Sequence, residues 1–188
     1  MDAGVEVTLA DQRVRASAAV FSNHYRDQIE FRSTSPFFAP DGQPDYLNIA
    51  GSNAHGVELE GALQRPYNGV TMAVTYAFVP TEVVETTDFD AQFRPGQPLL
   101  RRPKHSGTFR IVYRRGSLAA HWDTRIVGQR HDSSFIGLLT PAFASGEISV
   151  NPGYTVSGLG VEFRAQRAAT NYFRADTIFD EEYEGALG

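Results

Sequence analysis

The residues best suited to chemistry in this 188-residue chain are five histidines and a run of acids at the C-terminus. His24, His55, His105, His121 and His131 are scattered, and no pair has the i,i+2 or i,i+4 spacing that puts two imidazoles on one strand or helix face around a metal. His121 alternates with Asp123, which suits a polar wall position better than a ligand set. Asp180, Glu181, Glu182 and Glu184 are plentiful oxygen donors, but they lack the interval of a calcium loop and read as a solvated segment. Gly158-Leu-Gly160 has neither the third glycine nor the strand-to-helix setting of a dinucleotide loop. No serine sits in a nucleophile elbow, and cysteine is absent, which removes thiol nucleophiles, thiolate metal sites and disulfides. The expectation is a non-enzyme with no catalytic, cofactor-binding or metal residues and no cofactor. Ligand contacts, if present, belong to aromatic residues in long loops: Phe37, Phe38, Phe89, Phe93, Phe135 and Phe143.

Chemistry of that kind leaves the elements to speak. In Gly56–Pro80, Val57, Leu59, Gly61 and Leu63 alternate with Glu58, Glu60 and Ala62. After a five-residue turn, Arg65-Pro-Tyr-Asn-Gly69, Val70, Met72, Val74, Tyr76 and Phe78 alternate with Thr71, Ala73, Thr75 and Ala77. A period of two is the signature of a strand, because successive side chains leave it on opposite faces. The second arm runs unpunctuated for about the 9–11 residues that a tilted strand needs to cross a bilayer. Similar alternation predicts strands near 4–9, 13–25, 46–63, 104–114, 118–129, 154–164 and 170–178, with bends near Gly51 and Gly56 where side-chain-free positions weaken the ladder. No stretch has convincing helical periodicity.

The connections are sorted. In chain order they read short, long, short, long, short, long, short, and an up-and-down meander places every second connection on the same edge. Tight turns therefore line one rim and long loops (27–45, 81–103, 130–152) the other. Charged residues fall opposite the apolar set in each strand: Glu58 and Glu60, Arg110 and Arg114, Asp123 and Arg125, Glu162 and Arg164, Arg174 and Asp176. A basic side chain in the middle of a lipid face costs roughly 2–4 kcal/mol. Several would outweigh a typical net stability of about 5–15 kcal/mol, so the charged face must look into a lumen and the apolar face at lipid. Tyr25, Tyr76, Phe78, Tyr113 and Tyr154 lie near strand ends, where aromatic girdles belong. The net charge of −5 disfavours a nucleic-acid partner. A negative mean hydropathy does not argue against a barrel, because alternation dilutes any window average.

In four stretches the chain resembles the C-terminal barrel portion of TonB-dependent outer-membrane receptors, particularly siderophore- and cobalamin-type ones. They are Tyr25-Arg-Asp-Gln-Ile29; Asn48-Ile-Ala50 followed by Gly56-Val-Glu-Leu-Glu60; Leu100-Arg-Arg-Pro-Lys-His105; and Ile178-Phe-Asp-Glu-Glu-Tyr183. The resemblance implies about eight antiparallel up-and-down transmembrane strands of a 22-stranded barrel, spanning residues 1–188, without the plug domain, the energy-coupling segment or the closing strand of whole receptors. It implies a bacterial outer-membrane location, lipid contacts, a small-molecule ligand such as a metal chelate, and a TonB complex engaged through an N-terminal region not in this chain. The implied function is a part in TonB-energised import. The alternatives are a self-contained eight-stranded outer-membrane barrel, pore or structural, and a soluble β-barrel binding module.

Overall fold

The computed structural model describes residues 1–31, 46–86, 94–133, 148–166 and 169–179, and every regular element among them is a strand. Eight strands form a meander: β1 (Asp2–Leu9), β2 (Val14–Phe31), β3 (Tyr46–Tyr67), β4 (Val70–Phe78), β6 (His105–Arg115), β7 (Leu118–Val127), β10 (Tyr154–Gln166) and β11 (Ala169–Ala175). Every neighbouring pair is antiparallel. β5 (Thr81–Glu85) joins the same sheet by pairing with β3, while β8 (Arg130–Ser133) and β9 (Ile148–Asn151) make a separate hairpin. All three lie in connections that sequence periodicity reads as loops.

Several boundaries differ from the periodicity. β2 continues six residues past Tyr25 to Phe31, passing Asp27, whose φ of 55° kinks an otherwise extended strand. β3 likewise continues to Tyr67, so the five-residue turn is really a two-residue one at Asn68–Gly69, and the surplus is taken up by an irregularity between Leu63 and Tyr67. Asn68 and Gly69 both have positive φ (52° and 85°), the conformation that two-residue hairpins require and that Asn-Gly supplies most readily. The expected disturbances near Gly51 and Gly56 are present. Register slips between Gly51 and Ser52 against β5, and at Gly56 β3 exchanges one partner for another. β4 pairs β3 as far as Val57–Phe78, and β5 takes over from Ala54–Thr81. A Cβ on Gly56 would stand 2.3 Å from the Phe78 carbonyl oxygen, so the fork closes only around glycine.

Register carries the two faces continuously across the wall. One row of directly paired residues reads Val7, Ala16, Gly61, Val74, Phe109, Thr124 and Ser157; the next on the same face reads Leu63, Met72, Ile111, Trp122, Leu159 and Ala175. The opposite face carries Arg15, Ala62, Ala73, Arg110, Asp123 and Gly158 in one such row, and Ser17, Glu60, Thr75, Thr108, Arg125 and Val156 in another. The aromatic expectation holds in part: Tyr76, Phe78 and Tyr113 are on the apolar face, whereas Tyr25 pairs with Ser52 and Tyr154 with Val127 on the charged one.

The apolar face is uncovered. Val5 (62%), Val20 (53%), Val74 (47%) and Phe173 (62%) stand exposed, and the buried hydrophobic cluster among the described residues is Ile49, Val83 and Leu99, on the long-connection side of the fork. A soluble barrel would enclose its apolar face. Here the face is left for a solvent that is itself apolar. Its polar groups are accordingly satisfied within the sheet: Trp122 Nε1 donates to Thr124 Oγ1 (2.8 Å), which pairs with Ser157 Oγ (2.9 Å).

Candidate functional site

Two regions gather polar side chains. The first is the charged face midway along β6, β7, β10 and β11. Adjacent registers bring Arg110 beside Asp123, with Nε 3.2 Å from Oδ1, and His121 Nε2 lies 3.6 Å from the other oxygen of the same carboxylate. On β11, Arg174 Nε donates to Asp176 Oδ1 at 3.0 Å. Gly158 and Gly160 occupy the β10 positions between these groups, and a Cβ on Gly160 would stand 2.1 Å from His121 Cε1. The imidazole therefore lies across bare backbone. Together with Thr108, Thr124, Arg125 and Val156 these residues line an open cavity of about 400 Å³. Elsewhere on this face Glu6 pairs with Arg15, and Thr75 bonds Thr108 (2.7 Å).

The second region lies beyond the fork, on the long-connection rim. β5 folds back on β3, Leu99 N donates to Thr81 Oγ1 (3.2 Å), and Leu99 packs with Ile49 and Val83. Arg101 then ties this segment to the β8–β9 hairpin: its backbone N–H donates to the His131 carbonyl (2.7 Å) and its Nε to the fully buried Asp132 carboxylate (2.8 Å). Arg130, also buried, places its guanidinium over the Tyr154 ring at 5.7 Å. Ser52 is buried and donates to Gln28 Oε1. The two long connections are thereby fused into one packed cluster.

The histidines are kept apart. His24 (bonded to Asn53), His55 and His105 (bonded to Tyr76 Oη, 2.8 Å) occupy the face that carries the apolar band, near its upper margin, while His121 faces the other way and His131 belongs to β8. No group of three or more potential metal ligands forms among the described residues. Phe37, Phe38, Phe89, Phe93, Phe135 and Phe143, and the acidic run 180–184, lie outside the described residues. The mid-wall cavity escaped the sequence reading because it depends on register; the signal available was two glycines at alternate positions of β10, facing charged positions of β7.

An antiparallel meander with an uncovered apolar face, strands of 9 to 11 residues at its centre (β4, β6 and β7) and loops sorted by rim is the wall of a transmembrane β-barrel. The family model described as "TonB dependent receptor-like, beta-barrel" matches residues 1–177, and the chain belongs to that family. It is a family of outer-membrane receptors and not of enzymes, so the apolar face meets lipid and the charged face the lumen. Among solved structures, the ferric-catecholate import receptor Fiu of E. coli K12 aligns with TM-score 0.71 and 19% identity over 98% of this chain and 24% of its own. The siderophore receptor PiuA of Acinetobacter baumannii aligns with TM-score 0.71 and 13% identity, over 98% of this chain and 24% of its own. The ferric yersiniabactin uptake receptor FyuA of Yersinia pestis aligns with TM-score 0.70 and 17% identity, over 98% of this chain and 25% of its own. The chain thus spans about a quarter of the length of the solved receptors that it matches. No curated protein matches it by sequence.

Proposed function

We propose that this chain is a wall section of a longer receptor, of 22 strands with a lumen-filling plug, that imports a metal chelate of the siderophore kind using energy delivered by a TonB complex. The observation that carries the proposal is the family membership of residues 1–177 combined with a sheet whose outer strands, β1 and β11, do not pair with each other. Unpaired edges in hydrocarbon leave backbone groups without partners, at several kcal/mol per group, so such a sheet calls for further strands on both sides. The same openness speaks against a self-contained eight-stranded pore, and the uncovered apolar face against a soluble module. Solved receptors of similar wall structure carry names that refer to ferric-catecholate import, a siderophore and ferric yersiniabactin uptake, which supports an iron chelate as the ligand class.

The test is uptake. Deleting the receptor gene in an iron-restricted culture should abolish accumulation of radiolabelled iron from at least one chelate in a panel of catecholates, hydroxamates and carboxylates. Disrupting TonB should abolish the same uptake. Accumulation that survives loss of TonB but not loss of the receptor would defeat the energised reading, and uptake unaffected by either deletion would defeat both.

A further inference from the structure

The mid-wall cavity is a more specific feature than a charged lumen needs. Three guanidiniums, from Arg110, Arg125 and Arg174, share it with two carboxylates, Asp123 and Asp176. Both carboxylates are engaged, Asp123 by Arg110 and Asp176 by Arg174, and His121 Nε2 stands 3.6 Å from the second Asp123 oxygen. Arg125 is left over. Its neighbours across the sheet are Thr108 and Val156, it is exposed on the lumenal face, and it makes no hydrogen bond or ion pair with any described residue. Gly158 and Gly160 hold the floor down, since Cβ atoms there would stand 3.3 Å from Asp176 Oδ1 and 2.1 Å from His121 Cε1.

We infer that this notch is a binding site for a carboxylate, taken by the fork of Arg125 with Arg110 or Arg174 as the second arm. A guanidinium presents two parallel N–H groups to a carboxylate and holds it in a defined orientation, which a point charge does not. The existing ion pairs do not oppose this. Arg110 and Asp123 are 61% and 45% exposed, Arg174 and Asp176 70% and 63%, and pairs so exposed contribute little because water screens them. An incoming carboxylate can therefore draw either arginine toward itself at small cost. Two sources supply that chemistry in a receptor lumen: an acidic side chain of the receptor's own lumen-filling part, or a carboxylate of a solute in transit. The inference rests on the receptor reading for its setting but not for its chemistry.

The experiment uses the full-length receptor, purified in detergent, with its heat-modifiable gel migration checked for every variant. Tricarballylate, a tricarboxylate, is titrated calorimetrically at low ionic strength into the native receptor, Arg125→Gln and Arg125→Lys. In parallel, Arg125→Lys is treated with a carbodiimide, which joins an amine to a carboxylate that touches it, and the linked peptides are sequenced by mass spectrometry. Saturable binding weakened about tenfold or more by Arg125→Gln, and less by Arg125→Lys, identifies a solute carboxylate. Absence of tricarballylate binding, with a cross-link from position 125 to an acid of the lumen-filling part, outside residues 1–188, identifies an internal one. Tricarballylate binding indifferent to Arg125→Gln, or no binding together with cross-links confined to wall acids of residues 1–188 such as Glu58, Glu60, Asp123 and Asp176 or none at all, overturns the inference. Glu82→Gln, on β5 and lining neither this notch nor the adjoining cavity that Arg125 shares with Glu58 and Glu60, is the control expected to change nothing. Loss of iron uptake with intact tricarballylate binding, or the reverse, separates failure of the transport proposal from failure of this one.

Discussion

Asp132 and Gly69 show how much single residues decide here. Asp132 is fully buried, and Arg101, at 44% side-chain exposure, is its ion-pair partner. Removing the carboxylate leaves a guanidinium packed against a hairpin without its anion, and breaking buried pairs costs about 3–5 kcal/mol. Half-exposure of Arg101 lowers that, so Asp132→Ala should cost about 1–3 kcal/mol. The loss belongs to the rim cluster, not the wall: limited proteolysis should cut between 94 and 133 faster while heat-modifiable migration stays unchanged. Gly69 has φ of 85°, and a Cβ there would stand 2.3 Å from the Arg114 carbonyl oxygen. Gly69→Val should therefore slow barrel formation and lower folded yield on refolding into detergent, at about 1–3 kcal/mol of backbone strain, while Asn68→Gly should be tolerated. Of these two, the turn glycine was legible in the sequence, because Asn-Gly between alternating runs carries its own conformational requirement. Asp132 was not. Its significance comes from Arg101, thirty-one positions away, and no local pattern links them.

At the scale of elements, the alternation of a wall strand is a statement about two solvents. Val74 and Thr75 are neighbours on β4, yet Val74 pairs with Phe109 in the lipid row and Thr75 with Thr108 in the lumenal row. Lysine at the first position should cost roughly 2–4 kcal/mol, and at the second close to nothing. Denaturant unfolding of the receptor in vesicles is the measurement: a midpoint shift for Val74→Lys and none for Thr75→Lys, with equal shifts contradicting the face assignment. The same two-solvent logic explains which elements the sequence disclosed. Strands β6, β7 and β10 each separate apolar from charged positions and β4 separates apolar positions from Thr and Ala, so period two located them within a few residues. β5, with the sequence Thr-Glu-Val-Val-Glu, and β8, Arg-His-Asp-Ser, stand beyond the lipid band, where no apolar solvent enforces alternation. They are held instead by pairing with β3 and β9 and by the Ile49, Val83 and Leu99 packing, which are non-local. The continuation of β2 past Asp27 was hidden for a related reason: the left-handed residue breaks the phase that a periodicity argument follows.

For the whole molecule, the open sheet sets the expectation for the chain by itself. Refolded alone in detergent it should fail to give a heat-modifiable monomer and should associate through β1 and β11, whose outer edges have no partner strand among the described residues. A sharp, heat-modifiable monomer band would instead favour the self-contained barrel. The fork at Gly56 carries a consequence for the intact receptor. Because β3 passes from β4 to β5 with only His55 and Gly56 between the two ladders, its hydrogen bonding runs on from the membrane wall into the rim cluster. Amide exchange should follow that continuity. Amides of Gly51–Ala54, above the lipid, should resist deuterium nearly as long as those of Val57–Leu63 within it, and Asp132→Ala should release the protection of β5 and β8 before touching β3. The receptor's outer surface would then answer deuterium as two populations, one anchored to the wall through a single shared strand and one that is not.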